Sequence, residues 1–165
     1  MSNKVLQYVI DKIDAAKIET DIKGFPYFSV EEVFPSDYYD KLVDVHQSIE
    51  GSNFKSLSKF YKNRFILDLN CGENNNQQKN NFKSLKSEEA SFLKEFQDLF
   101  LTDNRLRDAF FRKYGDYIIY PFKDSIIPQC RLQRDLKGYK IGPHRDNLDK
   151  LFSVMFYTPT VKMTN

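Results

Sequence analysis

The sequence is poor in the residues that mark several common classes of protein. It has two cysteines, Cys71 and Cys130, which lie far apart and form no C-x-x-C pair. Neither a zinc knuckle nor a redox motif is therefore indicated. We expect both thiols to be buried and free, as is usual in a reducing compartment. Tryptophan is absent, and the two histidines are His46 and His144.

Long apolar runs and segregated charge are also missing. Charged residues interrupt residues 1–19 every few positions, so we expect no signal peptide or membrane anchor and a cytoplasmic protein. The 25 basic and 23 acidic residues are well mixed and leave a net charge of +2. Because no basic run occurs, we expect neither a nucleic-acid nor a membrane partner.

What the sequence does contain predicts a single α+β domain. Its 165 residues are 41% hydrophobic, with 15 Phe and 10 Tyr, enough for one packed core. Apolar residues recur at helical spacing along much of 1–115, which predicts a helical support with an exposed Asn-rich loop at 70–81. From 116 to 165 the texture is strand-like, with a turn at 135–138 and a strand at 151–157.

A histidine and an acid two positions apart give the clearest chemical signal. Side chains at i and i+2 of a strand project from one face, so His144 and Asp146 would point the same way at a strand end. An imidazole and a carboxylate are two thirds of a facial two-histidine, one-carboxylate iron site. Gly142-Pro143, directly before them, fixes the local backbone.

A competing motif lies at Ile66–Gly72. An apolar strand, an acid (Asp68) and a glycine (Gly72) are similar to the nucleotide-binding strand and loop of S-adenosylmethionine-dependent methyltransferases. Asn70 stands where a glycine is expected, and a polar tract replaces the helix that should follow. We therefore interpret Asp68 and Gly72 as an ordinary strand end and turn, with the methyltransferase as a remote alternative.

Residues 131–157 and 25–39 together resemble the 2-oxoglutarate- and Fe(II)-dependent oxygenases of the prolyl-hydroxylase-like group. The resemblance rests on Gly-Tyr-x-Ile-x-x-His-x-Asp at 138–146, the apolar strand after it, and the Pro-Ser-Asp helix start at 35–37. It implies a double-stranded β-helix (a jelly-roll relative) with helices packed on it. It also implies Fe(II) and 2-oxoglutarate, with ascorbate as a further cofactor, and hydroxylation of a peptide side chain or small molecule.

The resemblance assigns roles to residues of this chain. His144 and Asp146 match two iron ligands, and Arg131, Gln133 and Tyr139 would contact the co-substrate, with Arg134 nearby.

The family pattern is incomplete in this sequence. The second histidine ligand and the basic residue that holds 2-oxoglutarate lie further downstream in the family, but no histidine follows His144. We therefore expect a C-terminally truncated piece of an oxygenase, or a degenerate homologue. A non-catalytic fragment or interaction module without iron is the alternative. His46 falls in a predicted helix, where a surface or core role is expected.

Overall fold

The described protein consists of helices and two small sheets, and the larger sheet joins segments that lie far apart in the sequence. A computed structural model describes residues 2–22, 24–56, 62–69, 82–117, 126, 128–140 and 151–158. These ranges form a mixed α/β structure with four α-helices and two small antiparallel sheets. No helix within them is long and apolar enough to cross a lipid bilayer.

The helices lie where apolar residues recur at helical spacing, so their prediction is confirmed. They are α1 (Ser2–Ala15), α2 (Ser36–Ser48), α3 (Ser87–Gln97) and α4 (Asn104–Lys113). A π-helical segment, Asp98–Thr102, continues α3. Asp103 caps α4 by accepting a hydrogen bond from the Arg105 amide at 2.9 Å, which satisfies one of the free N–H groups of the first turn. At α2 the predicted Ser36-Asp37 cap is not formed, because the N-cap position is Pro35.

The core is built largely from helix faces and is rich in aromatic rings. Leu6, Val9 and Leu93 are fully buried. Phe34 precedes α2 and packs its ring 5.6 Å from that of Phe100 and 4.9 Å from that of Phe156, centroid to centroid. Tilted ring pairs at these distances add to the stabilisation from buried area. Phe156 therefore attaches a segment from the end of the described chain to the helical core.

Both sheets are antiparallel. The first pairs β1 (Glu19–Thr20) with β2 (Pro26–Tyr27). The second has the order β3-β4-β5 and consists of Lys55–Ser56, Arg64–Asp68 and Arg131–Asp135. β4 coincides with the apolar strand predicted before Gly72, and its pairing with β5 is a finding of the structure.

Residues 151–158 differ from the predicted strand. They are described but form no ladder with another described strand. Their side chains carry the attachment instead, since Phe152 lies 5.7 Å from Phe110 and 5.4 Å from Tyr114, ring centroid to ring centroid. The β-rich texture of this segment therefore reflects aromatic packing on helices rather than backbone pairing among the described residues.

Candidate functional site

The ladder between β4 and β5 has two faces of different chemistry. Opposite residues of an antiparallel pair share a face, and successive residues alternate between faces. What we call the polar face consists of the pairs Arg64↔Asp135, Ile66↔Gln133 and Asp68↔Arg131. The core face consists of the pairs Phe65↔Arg134 and Leu67↔Leu132. The three apolar residues of the core face belong to the hydrophobic core or pack against it.

Ion pairs occupy both ends of the polar face. Arg64 holds Asp135 through two contacts, Nε to Oδ1 at 2.8 Å and Nη2 to Oδ2 at 2.7 Å. At the other end, Arg131 Nε donates to Asp68 Oδ1 at 2.7 Å. Gln133 Nε2 donates to Asp135 Oδ2 at 3.0 Å. The two arginines and two aspartates therefore balance one another in charge.

The centre of the polar face is apolar and shielded. Ile66 is 9% exposed, although it is not a member of the core cluster. A side chain on the far side of a sheet from the core is normally open to water. The burial of Ile66 shows that the polar face is covered at its centre.

Tyr139 brings an unpaired hydroxyl group to the polar face. Its ring lies beside Arg64, whose guanidinium carbon is 4.0 Å from the ring centroid, a cation–π distance. The hydroxyl is buried, and no described residue forms a hydrogen bond with it. An unsatisfied buried hydroxyl costs roughly 1–3 kcal/mol, so a molecule that accepts its hydrogen bond would be stabilised there.

A tight turn fixes the chain between β5 and Tyr139. The Leu136 amide donates to the carbonyl of Asn63 at 2.8 Å, and the Asn63 side chain donates to the carbonyl of Lys137 at 3.2 Å. Gly138 has a φ of 88°, which glycine adopts without the steric cost that a Cβ brings. The turn predicted at 135–138 is therefore confirmed, and it holds Tyr139 against β4.

Arg134 leaves the core face toward the end of α2. It donates to the backbone carbonyls of His46 and Ile49, the latter at 2.9 Å. Its guanidinium carbon lies 4.0 Å from the Phe54 ring centroid. Terminal helix carbonyls lack intrahelical donors and carry partial negative charge, so a guanidinium suits them. Arg134 lies on the opposite face of the ladder from Arg131, and the expectation that it lies near the co-substrate stays a prediction.

His46 is nearly enclosed, with 6% of its surface exposed. Its Nδ1 lies 2.9 Å from Thr158 Oγ1, and its ring centroid is 6.0 Å from that of Phe54. Nε2 is buried without a hydrogen-bond partner among the described residues. Burial, aided by the charge of Arg134, lowers the pKa of His46 from 6.5 to about 4. The ring is therefore neutral at pH 7.

The predicted metal ligands, His144 and Asp146, lie outside the described residues, as does the Asn-rich tract 70–81. In the part of the chain that the structure describes, no group of three or more His, Cys, Asp or Glu side chains could hold a metal ion. The assignment of His144 and Asp146 stays a prediction.

The three predicted co-substrate residues share one side of the ladder but not one end. Gln133 and Tyr139 lie toward the Asp135 end, whereas Arg131 opens the strand. At about 3.4 Å per residue, positions 131 and 135 are roughly 13 Å apart along the strand. The ladder therefore does not bring the backbone positions of the three residues to one point.

The described sheet does not favour the methyltransferase interpretation. β4 is antiparallel to both of its neighbours, whereas that motif belongs to a parallel doubly wound sheet. Asp68 has a partner in Arg131, as expected for a strand end.

Sequence reasoning missed the grouping of His46, Arg134 and Thr158. The contacts of His46 with these residues span 88 and 112 positions. No local sequence pattern predicts such contacts, since each of the three residues on its own is typical of a surface or a turn.

No protein-family model, no curated protein and no solved structure matches this chain.

Proposed function

We propose that this protein is a 2-oxoglutarate- and Fe(II)-dependent dioxygenase that hydroxylates a peptide side chain or a small molecule. His144 and Asp146 are the proposed metal ligands. The observation that carries the proposal is the geometry after β5, where a fixed turn presents the unpaired Tyr139 hydroxyl at the polar face. Tyr139 precedes the H-x-D triplet in the order that the family resemblance implies.

The layering of the described elements supports the same proposal. The core face of β4 and β5 packs on the helical core, and the polar face is left for other contacts. A sheet with helices on one side and ligand-binding groups on the other suits a β-helix enzyme. We propose that β3, β4 and β5 belong to such a double-stranded β-helix.

The residues of the chain bind and orient in this proposal, while Fe(II) and 2-oxoglutarate, when bound, supply the oxidative chemistry. The Tyr139 hydroxyl donates a hydrogen bond to a carboxylate oxygen of 2-oxoglutarate. Gln133 is the second proposed donor: one hydrogen of its amide nitrogen is held by Asp135 at 3.0 Å, and the other would serve the co-substrate. Both donors are neutral, and the nearby Arg64 is paired with the carboxylate of Asp135.

Arg131 is a weaker candidate than Tyr139 for binding the co-substrate. It would have to exchange Asp68 for the carboxylate of 2-oxoglutarate. Side chains of this pair are 44% and 37% exposed, and exposed ion pairs contribute only about 0–1 kcal/mol. The exchange is therefore easy, but Arg131 lies at the far end of the strand from Tyr139.

His46 is a poor candidate for the missing histidine ligand. A cation at its Nε2 would approach the Arg134 guanidinium, which bonds the backbone of the same residue. Low-dielectric surroundings make such a like-charge contact costly. His144 is thus the histidine that the proposal uses.

An interaction module without bound iron is the second candidate. The observation in its favour is the charge balance of the polar face, where both arginines already have carboxylate partners. A dianion gains little from a face whose positive charges are neutralised.

Turnover of the full natural protein separates the two candidates. We expect succinate formation that requires both Fe(II) and 2-oxoglutarate and is lost in His144→Ala and Asp146→Ala. Tyr139→Phe should raise the KM for 2-oxoglutarate about tenfold, since it removes one hydrogen bond to a charged group worth roughly 1.5 kcal/mol. Arg131→Ala should change that KM less.

His46→Gln is the matched control, because it alters the other histidine of the chain. It should keep metal-dependent turnover at pH 7.5. Undiminished turnover in His144→Ala would show that the ligand assignment is wrong. A folded protein without any turnover on 2-oxoglutarate would favour the interaction module.

A further inference from the structure

Three separate elements meet at the His46 ring. Phe54, which follows the 3-10 helix Gly51–Asn53, packs against the ring. Thr158 bonds its Nδ1 at 2.9 Å. From β5, Arg134 reaches the backbone of the same residue. The cluster therefore joins the end of α2 to segments that lie far away in the sequence.

The attachment of residues 151–158 depends on few contacts near Thr158. Phe152 and Phe156 pack on the helices, and the Tyr39 hydroxyl donates to the carbonyl of Tyr157 at 3.3 Å. The His46–Thr158 hydrogen bond adds a contact between the segment and α2. Loss of that bond would free the Thr158 end while Phe152 stays packed.

We propose that His46 is an acid-sensitive latch, which fastens Thr158 to α2 when its ring is neutral and releases it when the ring is protonated. Where Nδ1 donates to the Thr158 hydroxyl, protonation puts a hydrogen on Nε2, a buried atom without a partner among the described residues; where Nδ1 accepts, protonation removes the acceptor of that hydroxyl. A buried donor without an acceptor is costly. The ring therefore moves toward water, and its bond to Thr158 breaks.

The charges around the ring act in the same direction. Arg134 is the charged group that faces it from β5, whereas Phe54 and Thr158 carry no charge. Burial and the positive charge of Arg134 both lower the pKa of His46. Protonation is thus disfavoured while the latch is closed and favoured once the ring reaches water.

NMR of the Thr158 methyl group in the full chain at two pH values tests the latch. The pKa of His46 is about 4 when the latch is closed and 6.5 as a free side chain. The ratio of open to closed Thr158 should then be roughly 25-fold higher at pH 5.0 than at pH 7.5. The ring resonances of Phe152 should keep their chemical shifts over the same range.

His46→Gln is the comparison variant, because its amide still reaches Thr158 but does not titrate. We expect its opening to be independent of pH over this range. An equal pH response in His46→Gln, or none in the natural protein, would overturn the latch. If that variant does not fold, an NMR titration of the His46 ring in the natural protein decides. An apparent pKa well below 6.5 supports the latch, and one at or above 6.5 overturns it.

Discussion

Arg131 and Arg134 lie on the same strand, yet the protein uses them in opposite ways. Arg131 projects from the polar face and pairs with the carboxylate of Asp68 in a largely exposed position. Arg134 projects from the core face, bonds two carbonyls at the end of α2 and stacks on Phe54. Losing an exposed ion pair costs little free energy, because water replaces the partner of each charge. Losing a partly buried guanidinium costs more, because the backbone carbonyls are left without their donor. The comparison separates a face of exposed ion pairs from a face that packs on the core.

Replacing Arg134 should give the largest loss of stability. Arg134→Ala removes two charge-assisted hydrogen bonds and a cation–π contact, and we expect it to lower the free energy of unfolding by about 3 kcal/mol. Arg134→Lys should recover part of this loss, because an ammonium cannot reproduce the planar fork. Urea denaturation measures both. Arg131→Ala is the control and should cost below about 1 kcal/mol; equal costs would contradict the division into two faces.

Acidification should destabilise the protein through His46. Its pKa is lowered from 6.5 to about 4 by burial and by Arg134, so the folded state binds the proton less readily than the unfolded state. The associated stability is fully present above pH 6.5 and is lost as the pH falls toward 4, by about 2–3 kcal/mol in total. The difference in urea denaturation between the natural protein and His46→Gln isolates this contribution. A constant difference across that range would contradict it.

Gln97 and Gln133 allow a similar comparison, between a buried side chain and one on the polar face, with neutral groups. Gln97 is 4% exposed and donates to the carbonyl of Leu69 at 2.8 Å, whereas Gln133 lies on the polar face. Gln97→Leu leaves a buried carbonyl without that donor and should cost about 1–2 kcal/mol. Gln133→Leu should change the free energy of unfolding by less than about 0.5 kcal/mol. Thermal denaturation of the two variants distinguishes them, and the reverse order would contradict the assignment of faces.

The smallest loss of stability that we expect depends on the salt concentration. Asp68→Asn removes the carboxylate partner of Arg131, and we expect a loss below about 1 kcal/mol at low salt. At 1 M salt the Debye length is about 3 Å, so the difference from the natural protein should vanish. A loss that persists at high salt would show that the pair is more buried than its exposure indicates.

Local patterns in the sequence were sufficient for the helices, β4 and one turn, and insufficient for the site. Helices α1 and α3 follow from apolar spacing, and β4 and the turn before Gly138 follow from strand and turn chemistry. Each of these elements is determined by residues within a few positions of one another, so it can be predicted from the local sequence. Which face of β5 an arginine occupies depends instead on the register with β4, which pairs residues 63 to 71 positions apart.

Residues 151–158 show the limit most clearly. Their run of apolar residues predicts a strand, because aromatic and β-branched side chains favour extended backbone. The structure uses Phe152 and Phe156 as anchors on the helices instead. Tertiary packing decided between these outcomes, and the sequence has no local feature that distinguishes them. In the same way, the local sequence does not distinguish His46 from an ordinary helix residue, because its contact with Thr158 arises only in the folded protein.

Metal binding by the full natural protein is the most direct test of the proposed function. Titration with Mn(II), a stand-in for Fe(II) that is stable in air, can be followed by calorimetry with and without 2-oxoglutarate. The proposal predicts one metal ion per chain, bound more tightly when 2-oxoglutarate is present. That binding should be lost in His144→Ala and in Asp146→Ala and retained in His46→Gln at pH 7.5. Unchanged binding in His144→Ala, or its loss in His46→Gln, would contradict the assignment of the two histidines.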